Sequence, residues 1–273
     1  MTEESDVARH YSSGTLLSRI RDGLQQAGLA DLLDPDALAP VDEFHVGGRK
    51  ATVQLLDRLN LARGQRAVDL GCGLGGPARF AAQRSGVAVV GVDLTKEFVA
   101  TGQELTRMAG LSDRVKHVHA SILDLPFEGG VFDAAWMIHV GMNIADKHRI
   151  AEQAARVLKP GALFGIYDVM RMSDGDITYP MPWASSPRQS AVVGPDRYRF
   201  ALQDAGFEIV SETNLAEFAL EFYKSAAAKP PGSAPLGLHL VMGEDSAKKI
   251  DNMVDNIRGR GIAPYMIIAR REG

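Results

Sequence analysis

The sequence predicts an α/β fold built on a doubly wound, mostly parallel sheet, and three observations carry that reading. Apolar strand-length runs alternate with amphipathic helical stretches between residues 66 and 138, and such alternation implies parallel strands covered by helices on both faces. The run Ala67-Val68-Asp69-Leu70 leads straight into the glycine cluster Gly71-Cys72-Gly73-Leu74-Gly75-Gly76. A second apolar run, Ala88-Val89-Val90-Gly91-Val92, ends on the acidic Asp93.

Each element follows from local pattern. Residues 1–62 read as a helical cap, with Leu16, Leu17, Ile20 and Leu24 at helical spacing, a polar break over 31–42 and a helix at 49–61 after Gly47-Gly48. Strands are expected at 66–70, 88–93, 115–119, 131–138 and 162–169, with helices at 76–85, 96–109 and 146–158. Pro77 suits a first helical turn, where its missing N–H costs nothing, and Pro160-Gly161 stops the helix before it. Residues 171–194 carry no period; a helix near 195–205, a strand near 207–213 and a last strand at 265–269 follow. The resulting organisation is a cap (1–62), a cofactor core (63–170), a substrate-side segment (171–214), an inserted helical lid (215–262) and a final strand with tail (263–273). The insertion, with Phe218, Leu220, Phe222 and Tyr223, is too apolar for a disordered linker. A lid over a cavity and a subunit contact in a homodimer are the two readings.

Composition bounds the function. The 273 residues are 45% hydrophobic and 23% charged, enough for one well-buried core. A net charge of -4 leaves no basic footprint for nucleic acid. No apolar run approaches the ~20 residues that span a bilayer, and the acidic start lacks the basic and apolar regions of a signal peptide. A cytoplasmic protein without membrane partners is expected. Cys72 is the only cysteine, so no intrachain disulfide forms, and a buried structural role is assigned to it. His117 and His119 alternate on one strand without a third ligand at suitable spacing, so no metal site is expected.

The glycine cluster marks a nucleotide-like ligand at the carboxyl end of the first strand. Gly71, Gly73 and Gly76 satisfy the dinucleotide pattern G-x-G-x-x-G, which keeps a dehydrogenase or a non-catalytic binder of NAD open. Asp69 argues for S-adenosyl-L-methionine, because a carboxylate there can meet the amino group of a methionine moiety but repels a diphosphate. Asp93 can accept both ribose hydroxyls in either case.

Taken together, Asp69-x-Gly71-x-Gly73-x-Gly75-Gly76, Asp93, Leu125-Pro126-Phe127, Phe132-Asp133 and Arg156-Val157-Leu158-Lys159-Pro160-Gly161 resemble the class I S-adenosylmethionine-dependent methyltransferases. The likeness covers roughly residues 60–170 and is greatest to the small-molecule branch of sarcosine/dimethylglycine, sugar and quinone methyltransferases. It implies a Rossmann-like seven-stranded sheet with an antiparallel last strand. It also implies that Asp69, Gly71, Gly73, Gly75, Asp93, Leu94 and Ile138 surround the cofactor. The adenine is expected after the third strand, where relatives usually carry an aspartate and this chain has Ser121; its hydroxyl and the backbone N–H of Ile122 are the remaining partners.

The acceptor is expected to be a small molecule methylated at oxygen or nitrogen, with carbon methylation of a quinone- or phenol-like ring as the alternative. His139, at a strand end, is the candidate base or acceptor contact, since its unperturbed pKa suits neutral pH. The resemblance to sugar O-methyltransferases implies Asp168, at the next strand end, as its orienting partner. Tyr11, Phe44, His45, Asn143 and Trp183 are the candidate acceptor-side residues, the first three from segments expected to fold over the cofactor.

Overall fold

The computed structural model describes residues 14–29, 34–227, 235–237, 239–242 and 245–273. Three cap helices, α1 (Leu16–Gln26), α2 (Pro35–Asp42) and α3 (Gly48–Leu59), precede the sheet. Then follow β1 (Arg66–Leu70), α4 (Gly76–Ser85), β2 (Ala88–Asp93), α5 (Lys96–Met108), β3 (Val115–His119), β4 (Phe132–Ile138), α6 (Lys147–Val157) and β5 (Leu158–Arg171). The chain ends with α7 (Pro195–Asp204), β6 (Phe207–Asn214), α8 (Ala216–Ala227), α9 (His239–Met242), α10 (Ser246–Arg258) and β7 (Ile262–Arg271).

The seven strands lie in the order β3-β2-β1-β4-β5-β7-β6. β7 runs antiparallel to both neighbours, whereas the β1–β2, β1–β4, β2–β3 and β4–β5 pairs are parallel. The chain winds outward in one direction from β1 and in the other from β4, so a crevice opens at the carboxyl ends of these two strands. One sheet face packs Phe132, Phe164 and Ile166 against Ile150, Ala154 and Leu202 of α6 and α7. The other packs Trp136, Tyr167 and Ile268 against Leu55, Leu59, Ala78 and Ala82 of α3 and α4.

Two expectations change. The polar stretch 31–42 contains α2 rather than a break: Asp34 accepts a hydrogen bond from the Asp36 N–H (3.0 Å), Pro35 opens the first turn, and Leu38 and Val41 are fully buried. Three residues apart, these two give a short helix enough apolar face to dock, although its other residues are mostly polar or small. β5 and β7 are longer than read, because their antiparallel register runs from Leu163↔Arg270 to Arg171↔Ile262. The described part of the insertion holds helices, and Leu236, Leu240 and Val241 pack on Leu16, Ile20 and Leu24 of the cap.

The cap is tied to the sheet by charge. Arg79 of α4 meets the Asp42 carboxylate at 2.5 Å with both side chains out of contact with water. Arg79 also donates to the Thr106 hydroxyl (3.0 Å) and the Gly102 carbonyl (3.3 Å) of α5. A Cβ at Gly76 would lie 2.5 Å from the Asp42 carbonyl oxygen, so only glycine lets α2 approach this closely. Removing one partner of a buried pair strands the other charge, at a cost of about 3–5 kcal/mol. Arg79→Met is therefore expected to lower unfolding free energy by about that amount, read from the urea midpoint at constant slope.

Candidate active site

A cavity occupies the crevice at the ends of β1, β2 and β4, roofed by the 44–46 segment and by α8 and α10. Its floor is the β1–α4 loop. Gly71 holds φ +77°, and a Cβ there would lie 2.3 Å from the Val140 side chain, so glycine is required on both counts. Gly73 lines the cavity under the Phe44 ring. Asp93 holds this loop in place: Oδ2 accepts from the Gly73 N–H and Oδ1 from the Thr95 N–H, both at 2.8 Å. Burial raises its pKa against those bonds.

Asp69 is the decisive side chain. It is 2% exposed and lines the cavity, and its Oδ2 has no hydrogen-bond partner within the protein. Burial, reinforced by the nearby Asp93 and Glu43 charges, pushes it up to about 8. A buried carboxylate with one oxygen unpaired, beside the Trp136 indole, is costly in such a place and calls for a cationic ligand group. An ammonium answers that need; a diphosphate would worsen it.

Comparison with known proteins agrees. Residues 68–166 match the family profile described as a methyltransferase domain. These residues form a methyltransferase domain. It is 27% identical over 187 residues to the methyltransferase GfsG of Streptomyces halstedii, a stretch covering 67% of this chain and 66% of that protein, just under two thirds of its length. It is 29% identical over 190 residues to the 27-O-demethylrifamycin SV methyltransferase of Amycolatopsis mediterranei, covering 67% of this chain and 70% of that one. A solved geranyl diphosphate C-methyltransferase from Streptomyces coelicolor A3(2), in complex with Mg2+, geranyl diphosphate and S-adenosyl-L-homocysteine, shares the fold with TM-score 0.74 and 20% identity over 99% of this chain and 98% of that chain.

The methyltransferase cofactor fits the residues present: Asp69 for the ammonium, Gly71 and Gly73 for close backbone approach, Asp93 for ribose hydroxyls, and Leu94, Ile122 and Ile138 as apolar lining. Two predicted contacts fall outside the cavity lining. Gly75 is turned toward the buried His117, where a Cβ would clash at 2.3 Å. Ser121 uses its hydroxyl to accept the Leu123 N–H at 3.0 Å, closing its own turn.

Of the residues expected on the acceptor side, Phe44, His45, Asn143 and Trp183 all line the cavity. Phe44 meets Phe98 edge to face, Asn143 donates to the Val140 carbonyl, and Trp183 donates its indole N–H to Ser190 Oγ at 3.0 Å. Tyr11 lies outside the described residues. His139 adopts φ +54° after β4, and its backbone N–H is held by the Tyr167 carbonyl at 2.8 Å. Its ring lies 5.8 Å from that of His45 and 5.1 Å from that of Tyr167. Burial, with His45 beside it, holds His139 well below the usual imidazole range, and burial lowers His45 to about 4. Both rings are neutral at pH 7.

The His139–Asp168 pairing is not formed. Successive residues of a strand face opposite sides, so Tyr167 lies beside the imidazole while Asp168 is turned away. Asp168 is fully buried there and accepts from the Tyr198 hydroxyl at 2.7 Å. Cys72 lines the cavity, but burial raises its thiol well above the normal range, which leaves it unreactive. His117 is structural, bonded to Thr106 and lowered to about 3 by burial. Met142 lines the cavity, whereas Met170 and Met181 are core.

Sequence reading assigned no role to three further residues. Asp42 and Glu43, which precede Phe44 in the segment expected to fold over the cofactor, are both buried, and Asp42 lines the cavity. Lys147 donates to the carbonyls of Gly141 (2.8 Å), Ile144 and Ala191 (3.0 Å), fixing the turn that carries Met142 and Asn143. Phe222, Tyr223, Ile250 and Met253 line the cavity from the insertion, whose apolar composition was the only signal for them.

Asp69 sets a pH test. Its folded pKa lies above the value near 3.8 of a free carboxyl, so its contribution to stability is complete at low pH and is lost as pH rises toward 8. Asp69→Asn is expected to flatten that decline in thermal unfolding of the ligand-free protein. The same change is expected to weaken S-adenosylhomocysteine binding by about 10- to 100-fold in calorimetry, the worth of a charged hydrogen bond.

Proposed function

We propose that this chain methylates a hydroxyl or amine of a small, largely apolar molecule, using S-adenosylmethionine. The observation that carries this reading is the pair of neutral imidazoles, His45 and His139, on the cavity wall near the orphaned Asp69. Much of the rest of that wall is apolar or aromatic, with Met142, Trp183, Phe222, Tyr223 and Met253 beside the polar Asn143, which suits an acceptor with a greasy body and one polar handle.

Bound S-adenosylmethionine supplies an activated methyl group, so the protein's work is alignment, exclusion of water and disposal of a proton. Alignment alone supplies up to about 7–11 kcal/mol in favourable cases. Exclusion of water follows from the roof of α8 and α10. The surroundings that keep His45 and His139 uncharged also favour the neutral form of an acceptor amine, which is its nucleophilic form, whereas a hydroxyl acceptor needs a partner to take its proton. His139 lacks a carboxylate behind it, and we assign it the task of orienting the acceptor by a hydrogen bond. The relatives' names point to oxygen in one case and to carbon in another. Carbon methylation is a second reading favoured by the aromatic wall, since ring faces stabilise developing cations.

Incubation with methyl-labelled cofactor and a metabolite extract is expected to yield a labelled small molecule whose fragments carry the methyl on oxygen or nitrogen. A label on carbon selects the second reading, and no labelled product from wild-type protein overturns both. His139→Ala is expected to slow formation of that product by up to about tenfold, the value of one hydrogen bond.

A further inference from the structure

Glu43 is a carboxylate closed off from water, 3% exposed, next in sequence to the cavity-lining Asp42 and Phe44 but not itself part of the lining. Its Oε2 accepts a hydrogen bond from the Thr52 hydroxyl. The oxygen of that hydroxyl lies 3.1 Å from His45 Nε2, and Nε2 lies 3.5 Å from Glu43 Oε2. Nε2 is also 3.1 Å from the Gly48 carbonyl oxygen. A carbonyl only accepts, so Nε2 carries the ring hydrogen. Nδ1 is then the lone-pair nitrogen of a ring that lines the cavity. Thr52 gives its one hydrogen to Glu43, so its oxygen is the acceptor toward His45. The three side chains form a directed chain of donors running from the cavity to a buried carboxylate.

We propose that His45, Thr52 and Glu43 are the proton path of the methyl transfer, with His45 as the catalytic residue and Glu43 as the proton's destination. The proposal rests on the reading that the acceptor is an O–H or N–H group. As the acceptor's bond to hydrogen breaks, its electron pair stays on oxygen or nitrogen and forms the bond to the methyl carbon, while the methyl–sulfur pair remains on sulfur. The released proton enters the ring at Nδ1. The Nε2 proton passes to Thr52 Oγ1, whose own hydrogen passes to Glu43 Oε2. Charge balances: a sulfonium and a carboxylate are present before transfer, and a neutral thioether and a neutral carboxylic acid after it. Thr52 and Glu43 act through His45 and do not touch the acceptor.

The surroundings support the direction of flow. Glu43 is faced by Arg49 (Nε to Oε1, 2.7 Å) and Thr52 of α3, by Asp42 of α2, by Arg79 of α4 and by Asp69 of β1. His45 is faced by Glu43, Arg49, His139 and Tyr167. Burial raises Glu43 to about 7 against the pull of Arg49, whereas His45 sits near 4, so a proton shared between them rests on the carboxylate. A terminal acceptor with a pKa near the working pH is the efficient choice.

The test compares wild-type protein with Glu43→Gln and Thr52→Val in single-turnover methylation, using methyl-labelled cofactor and the metabolite extract as acceptor source. Both variants are expected to slow transfer by about 10²-fold with S-adenosylhomocysteine affinity unchanged in calorimetry. The wild-type rate is expected to rise with pH through about 7 as Glu43 loses its proton, and that limb is expected to vanish in Glu43→Gln. Thr52→Val keeps the Glu43–Arg49 pair and reads the same path should Glu43→Gln fail to fold. Nitrogen-15 spectra of His45 in the S-adenosylhomocysteine complex are expected to show hydrogen on Nε2. A hydrogen on Nδ1, or variants within about threefold of wild type with the acid limb intact, overturns the path while leaving the methyltransferase reading standing. Absence of labelled product from wild-type protein overturns that reading and the path with it.

Discussion

The Arg79 guanidinium reaches from the helix after the glycine loop to the Asp42 carboxylate at the end of α2, and both side chains are closed off from water. Buried ion pairs add little net stability compared with apolar packing, but they tolerate few geometries. This one fixes where the cap chain turns. The next residues, Glu43 to Val46, are delivered over the glycine loop, with Phe44 against Gly73 and His45 facing His139. The Tyr167 hydroxyl then takes the Val46 carbonyl at 3.0 Å, pinning the far end of the same segment to β5. The cofactor floor and the acceptor wall are thus set relative to each other by two buried polar contacts rather than by the sheet alone.

A second theme is the cost of unpaired charge. Asp69, Glu43, Asp93 and Asp168 are all buried, and burial raises the pKa of each. Asp168 is compensated within the protein by Tyr198 and the nearby Lys147 charge, and Asp93 by two backbone N–H groups. Asp69 is left with an unsatisfied oxygen. Asp69 thus differs from Asp93 and Asp168 in keeping one oxygen without a partner inside the protein, although all three are buried.

The strand–loop–helix unit from Val68 to Ser85 and Asp93 at the end of β2 were legible because each depends on local chemistry: apolar strand residues, missing side chains in the turn, an acid at a strand end. The helices at 216–227 and 246–258 were legible from the apolar content of that segment. Asp168 was misplaced because a strand-end position says nothing about face; Tyr167 and Asp168 differ by one residue and lie on opposite sides of the sheet. Ser121 was misplaced because a hydroxyl can satisfy its own turn as easily as a ligand. Helix α2 was hidden because two buried side chains, Leu38 and Val41, suffice to dock a short helix. Glu43 lay in the segment expected over the cofactor but received no role, because its partners Arg49 and Thr52 declare themselves only once α3 has folded back.

The helices that roof the acceptor leave the sheet after β6 and return at β7, two strands that are hydrogen-bonded neighbours at one edge. The crevice that takes the cofactor lies on the far side of β5, between β1 and β4. Phe222, Tyr223, Ile250 and Met253 of this excursion therefore reach the cavity from a part of the chain that is separate from the β1–α4 loop and Asp93.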